Sequence, residues 1–128
     1  MAATAFSKGV RMSPRKVSVV ASLVRGRSVA DALTILEHTP RRSAGALRKA
    51  LLSAKANAEH NHSYKPDSLY ITEIAVAAGP RFRRYRAAAR GRALRYARKT
   101  SHIKVVVDGE KREVKKKAAK PADKQEKK

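Results

Sequence analysis

The chain contains no cysteine and no tryptophan, two phenylalanines and four tyrosines, and only ten acidic residues against 31 Lys and Arg. Each shortage excludes something. Without cysteine there is no disulfide framework and no thiolate metal site, which fits a reducing compartment. So few aromatic rings leave little to anchor the chain at a membrane surface. No apolar run approaches the ~20 residues that a helix needs to span a bilayer. Lys8 and Arg11 interrupt any stretch resembling the apolar region of a signal peptide. The shortage of acid matters most. A net charge of +21 over 128 residues opposes compaction by self-repulsion. A polyanion removes that repulsion and gains from counterion release.

The positive charge is concentrated. Between residues 81 and 107 stand Arg81, Arg83, Arg84, Arg86, Arg90, Arg92, Arg95, Arg98, Lys99 and Lys104, without one acid. Phe82, Tyr85 and Tyr96 are interleaved with them. A guanidinium is a planar fork that fits phosphate and stacks on bases, and aromatic rings stack on unpaired bases as RNA recognition often requires. A merely solvated face does not need acid excluded so completely. The segment has no continuous apolar face, so it is not a core strand. Continued from both flanks as a hairpin turning near Ala88 to Gly91, it forms two arms of about ten residues, each on the order of 30 Å long. Such a bare ribbon is marginal in water and calls for an RNA surface around it.

The remainder reads as an α+β domain. Residues 2–10 suit an edge strand. Ser13-Pro14 opens a helix, with Ser as N-cap and Pro at the first helical position. Val17, Val20, Ala21 and Val24 fall on its inner face, and Gly26 ends it. Ser28 caps a second helix, with Asp31 placed as in a capping box and Val29, Ala32, Leu33 and Leu36 as its apolar stripe. Thr39-Pro40 stops that helix and can start the third. The third runs to about His60 with Ala44, Leu47, Leu51, Ala54 and Ala58 on one face. A loop over residues 61–68 leads to a β segment over 69–78, where alternation predicts Tyr70, Thr72, Ile74 and Val76 on one face and Leu69, Ile71 and Glu73 on the other. A second β segment covers 103–107. The folded domain is therefore expected over residues 1–107, with the arm at about 79–101. The Lys-rich tail, 108–128, lacks apolar periodicity and is expected to be disordered away from its partner.

Two smaller constellations stand apart. Ser13-Pro14-Arg15-Lys16 sets two cations on a helix's first turn, beside free N–H groups, either as a phosphate seat or as a simple cap with exposed charges. Glu59-His60-Asn61-His62 has the residue types of a metal site. Its histidines do not share a helical face and no second carboxylate cluster lies near, so no metal, cofactor or catalytic residue is expected.

The motifs SPRKV (13–17), LVRGRSV (23–29), TPRRSA (39–44), LLSAKANAEHN (51–61), LYITEI (69–74), AAGPRFRRYR (77–86), ARGRA (89–93) and RKTSHI (98–103) occur in this order. With them the chain resembles the large-subunit ribosomal protein L twenty-two family in its bacterial form, over roughly residues 2–107. The resemblance implies three helices packed on a small antiparallel sheet with one long extended β-hairpin, and no enzymatic activity. It implies a cytoplasmic place in the ribosome, early assembly by RNA binding, and partners in large-subunit ribosomal RNA, neighbouring ribosomal proteins and the nascent peptide at the exit-tunnel wall. It implies no DNA partner. RNA contacts are implied at Ser13, Arg15, Lys16, Arg25, Arg27, Lys55, Asn57, His60, Asn61, Ser101 and His102, besides the cations from Arg81 to Lys99. Phe82, Arg83, Arg84, Ala87, Ala88, Ala89, Arg90 and Gly91 are implied to form the tunnel tip, the first three where the family narrows the tunnel near the macrolide-binding region.

The chain departs from the family at the tip, which usually reads Pro-Arg-Ala where Ala87, Ala88 and Ala89 stand here, and at Ser18, where many members carry a cation. Two rival classes fit less well. A histone-like DNA-architectural protein also carries Arg-rich β-arms, but the apolar alternation of a dimer-forming sheet saddle is absent. An RNA-modifying enzyme or nuclease requires an acid/base or nucleophile constellation that is missing.

Overall fold

The structure, a computed structural model, describes residues 2–112. The elements follow in the order β1 (Ala3–Val10), α1 (Pro14–Val24), α2 (Val29–His38), α3 (Arg42–Asn61), β2 (Tyr70–Ala87) and β3 (Ala93–Asp108). The three strands form one antiparallel sheet with β3 in the centre, β1 on one side and β2 on the other. Helices α1 and α3 pack on one face of the sheet, and α2 packs on α3. The fold is thus α+β, with three helices on a small antiparallel sheet, and β2 and β3 run on together as a long hairpin.

The core is made by the periodicities described above. Val17, Val20, Ala21 and Val24 of α1, and Ala44, Leu47, Leu51, Ala54 and Ala58 of α3, are all buried. They meet Ile103, Val105 and Val107, alternate residues of β3 that share its inner face. The alanines of α3 leave little side-chain bulk between helix and strand, which is how a helix lies close over β1 and β3. Burial of this apolar surface is what holds a domain of such high charge together.

The local signals met three different outcomes. At α2 the cap forms: the Asp31 N–H donates to Ser28 Oγ at 3.1 Å. The Ser28 hydroxyl in turn donates to Asp31 Oδ2 at 2.7 Å, so the acid serves the hydroxyl, where a capping box would serve the backbone N–H of Ser28. At α1, Ser13 is the N-cap and Pro14 the first helical residue, yet the Ser13 side chain makes no capping hydrogen bond. At α3, Thr39-Pro40 does not start the helix. Thr39 instead finishes α2, its hydroxyl donating to the Ile35 carbonyl at 2.6 Å, and α3 begins at Arg42 behind Arg41.

The strict alternation expected over 69–78 fails at one point. Ile71 pairs with Val107 and Glu73 with Val106, so Thr72 is an extra residue in β2. This bulge resets the pleat, and Ile71 and Ile74, an odd and an even position, are both buried. A period-two pattern cannot foresee an inserted residue.

Pairing also continues beyond Val107. The Lys65 N–H donates to the Glu110 carbonyl and the Arg112 N–H to the Ser63 carbonyl, at 2.9 and 2.7 Å. Beside this clasp Tyr64 is buried. Loss of water, and secondarily the charge and hydrogen bond of Asp108, raise its phenol above the ordinary tyrosine range. Of the tail expected over 108–128, residues 113–128 lie outside the described residues.

Candidate nucleic-acid interface

Beyond the globular part, β2 and β3 pair in seven rungs from Arg81 with Lys99 to Ala87 with Ala93. At ~3.3 Å per residue these rungs extend roughly 20 Å before the turn. Every residue along them is exposed. Antiparallel partners share a face, which sorts the arm by register. One face carries Phe82 with Arg98, Arg84 with Tyr96, and Arg86 with Leu94. The other carries Arg81 with Lys99, Arg83 with Ala97, and Tyr85 with Arg95. Cations and aromatic rings therefore occupy both faces.

The rings organise the guanidinium groups. On the first face Tyr96 lies between Arg86 and Arg98, each with its Cζ 5.6 Å from the ring centroid. On the second, Arg95 stands over Tyr85 at 5.9 Å. Each contact lies within the range of cation–π attraction and holds a long side chain above the ribbon. A shallow cleft of about 400 Å³ opens among Arg83, Arg84, Tyr85, Arg95, Tyr96 and Ala97.

Root and tip are both shaped by backbone constraint. At the root β2 gains another residue between Ala78 and Arg81. Pro80, lacking an N–H, sits in this irregular stretch of an edge strand, where proline is tolerated. Its carbonyl accepts a hydrogen bond from Thr100 Oγ1 at 2.7 Å. A Cβ on Gly79 would stand 2.5 Å from that same Oγ1, so the close approach requires glycine. At the tip, Ala89–Gly91 form a three-residue turn closed by the Ala88 N–H donating to the Arg92 carbonyl at 2.8 Å. Arg90 and Gly91 are both left-handed, with φ of 58° and 67°. The turn lies where the sequence places it, but it spends an arginine on a conformation that favours glycine.

The other predicted residues scatter around the globular part. Ser13, Arg15 and Lys16 lie at the start of α1, with both cations exposed. Arg25 donates through Nη2 to the Ile74 carbonyl at 2.9 Å, and Arg27 through Nε to the Leu23 carbonyl at 2.9 Å. Lys55 pairs with Glu59 at 3.8 Å one helical turn away. Asn57 is half-buried and its amide donates to the Thr4 carbonyl at 2.9 Å, tying α3 to β1. His60 and Asn61 are exposed at the end of α3, while His62 stacks on Tyr64 at 5.8 Å. His102 accepts from the Gly9 N–H through Nδ1 at 3.0 Å. Ser101 corrects the expectation: it is fully buried under the helices, its hydroxyl without a hydrogen-bond partner among the described residues, and cannot reach RNA in this fold. Phe82, Arg83 and Arg84, grouped with the tip from the resemblance, lie on the first flank, separated from the turn by Tyr85, Arg86 and Ala87.

Sequence reasoning missed one grouping. Arg11, Arg41 and Arg42 join Lys16, Arg98 and Lys99 around a cleft of about 670 Å³, which is completed by Met12, Ser13, Ser43 and Ala97. The available signal was the RR pair in the motif at 39–44, but nothing in linear order brings it to the arm's root.

Among the described residues no group of three or more metal-ligating side chains converges, and no helix is long and apolar enough to cross a membrane. Fold and charge together define a class: a small polycationic α+β domain that projects a cation-rich two-stranded β-arm. Residues 5–108 match the family model described as ribosomal protein L22p/L17e, and the chain belongs to that family. It is 50% identical over 107 residues to a large ribosomal subunit protein uL22 of Clostridium tetani, covering 84% of this chain and 96% of that one. The proteins of the same name from Herpetosiphon aurantiacus and Oceanobacillus iheyensis are 46% identical over 108 residues and 49% over 107. Each match covers 84% of this chain, with 96% and 95% of the relative. These relatives are ribosomal proteins, and the chain is not an enzyme.

Proposed function

We propose that the chain is a structural component of the large ribosomal subunit in the cytoplasm. In this role it binds large-subunit ribosomal RNA, aids assembly of the subunit, and lends the tip of its hairpin to the wall of the nascent-peptide exit tunnel. The observation that carries the reading is the two-faced arm. Cations on a single face would suit docking onto the outside of an RNA; cations on both faces suit RNA on both sides. Small residues at the end, Ala87 to Ala89 and Gly91, keep the tip slender, which suits a passage that must admit a growing peptide. Neighbouring ribosomal proteins have a surface to meet on the sheet's open face, where Phe6 is 63% and Tyr70 49% exposed.

Replacing Arg83, Arg84 and Arg86 with Ala tests the RNA reading. The slope of log affinity for large-subunit RNA against log salt is expected to fall by roughly 0.7–0.9 for each phosphate no longer neutralised. A nearly flat salt dependence of the parent chain rejects it. The tunnel reading is tested by a map of the assembled subunit and by deleting Phe82, Arg83 and Arg84. The deletion is expected to reshape the lumen and alter macrolide sensitivity while leaving assembly possible. An arm lying on the solvent surface, or a deletion that changes neither lumen nor drug response, rejects that part.

A further inference from the structure

The cleft at the arm's root is assembled by folding from three separate stretches of chain. Arg11 comes from the turn before α1, Lys16 from its first turn, Arg41 and Arg42 from the start of α3, and Arg98 and Lys99 from β3. Among the described residues no acidic side chain lines it. Among the described residues Glu37, Glu59, Glu73 and Glu110 are each paired with a cation elsewhere, and none of these six cations is in an ion pair. Arg98 turns its guanidinium to the other face of the ribbon, against Tyr96; gathering the other five like charges opposes folding, so an anion seated among them removes a cost that the fold creates.

We propose that this cleft is a phosphate clamp for an RNA strand turning at the base of the arm, and that it grips sugar–phosphate backbone without reading bases. The inference rests on the RNA-binding role proposed above and adds a site separate from the arm. The cleft's volume falls in the range of roughly 300–1,000 Å³ typical of ligand sites, larger than a single ion needs. Its lining has no aromatic ring on which a base could stack, and its apolar residues are only Met12 and Ala97. This favours backbone contacts, which position a strand without specifying sequence, and it leaves little for an apolar protein segment to bury. Helices α1 and α3 both begin at the cleft, and neither start has a side-chain cap. Their first turns thus supply backbone dipoles aimed at an anion in addition to the cations. Register supplies the route. Ala97 and Lys99 lie on the same face of β3 as buried Ser101 and Ile103. The cleft is therefore where the helix layer stops and that face of the arm begins, so a strand following this face runs into it.

The test uses the full chain with Arg11, Lys16, Arg41 and Arg42 all replaced by Ala, side chains that are exposed and whose removal leaves the core intact. Thermal unfolding verifies the fold. Affinity for large-subunit RNA at about 0.1 M salt is expected to fall tenfold or more, with the salt slope reduced by roughly 0.7–0.9 for each phosphate set free. An unchanged slope overturns the clamp. If the arm variant of Arg83, Arg84 and Arg86 loses slope while this one does not, the arm stands and the clamp falls; if neither does, both fall. A second measurement needs only Arg42→Cys, which places a single thiol in a chain without cysteine. An iron chelate tethered there is expected to cut ribosomal RNA beside the cleft in assembled subunits. Cleavage confined to a neighbouring protein would instead assign the cleft to an acidic protein segment and overturn the proposal.

Discussion

From Ile103 to Val107, β3 buries four of its five residues; from Ala93 to Lys99 the same strand is exposed at every position. One stretch is held by apolar side chains against helices, the other by its hydrogen-bond ladder and a few arginine–tyrosine contacts. Identical backbone conformation thus has two origins. The buried part is stable because water is excluded from it. The exposed part is a two-stranded ribbon, marginal alone, that takes its direction from the root; under the proposed function RNA would supply the rest of its stability. The division separates folding from binding, since the residues that hold the domain together are not those that carry its charge.

The comparison is most severely strained by a core substitution. Leu47→Ala is expected to cost about 2–5 kcal/mol, read as a lower midpoint of thermal unfolding. Arg84→Ala should stay within about 0.5 kcal/mol, and equal effects of the two would erase the distinction. Next in size is Gly79→Ala, where the new methyl meets the Thr100 hydroxyl that holds Pro80. A loss of about 1–3 kcal/mol is expected, smaller when Thr100 is already Ala, because the two changes disturb one contact. Strict additivity in that cycle would place the strain elsewhere.

A smaller effect is expected at the tip. Arg90→Gly should relieve the left-handed backbone by about 1 kcal/mol and raise hydrogen-exchange protection of the Ala88 N–H, while removing one cation from the proposed RNA surface. Unchanged protection would show that the turn is not limited by Arg90. The smallest concerns pH. Because the Tyr64 phenol is raised by burial and by Asp108, its neutral form favours the folded state. That contribution is fully present below the ordinary tyrosine value of about 10. It is lost as pH rises through the raised folded value. Tyr64→Phe should flatten this alkaline part of the stability curve, and a curve identical to the parent's would exclude Tyr64 as its source.

Legibility follows the range of each interaction. The inner faces of all three helices could be read because burial repeats every few residues, and the arm could be read because acid is missing from a contiguous segment. The Thr72 bulge could not, since an inserted residue leaves composition untouched while reversing the side chains that follow, as far as the second irregularity before Arg81. Ser13 and Thr39 were legible as helix punctuation, but which helix a hydroxyl serves depends on rotamer and neighbour. Arg11 and the Arg41–Arg42 pair escaped notice because they belong to different turns and only the tertiary fold brings them to Lys99. Ser101 shows the opposite limit: a polar residue inside a basic motif, RKTSHI, that the pleat turns inward.

Every register irregularity in the sheet falls in an outer strand: one between Ser7 and Val10 in β1, and two in β2. β3 runs for 16 residues with no extra residue of its own. In mechanical terms it is a single beam, on the order of 50 Å long at ~3.3 Å per residue, with flexible straps fastened along each side. Half of the beam is clamped beneath the helices and half is cantilevered. A lateral load applied at Arg90 has no hinge in β3 at which to dissipate and arrives as torque at Thr100 and Ser101, against the helix layer.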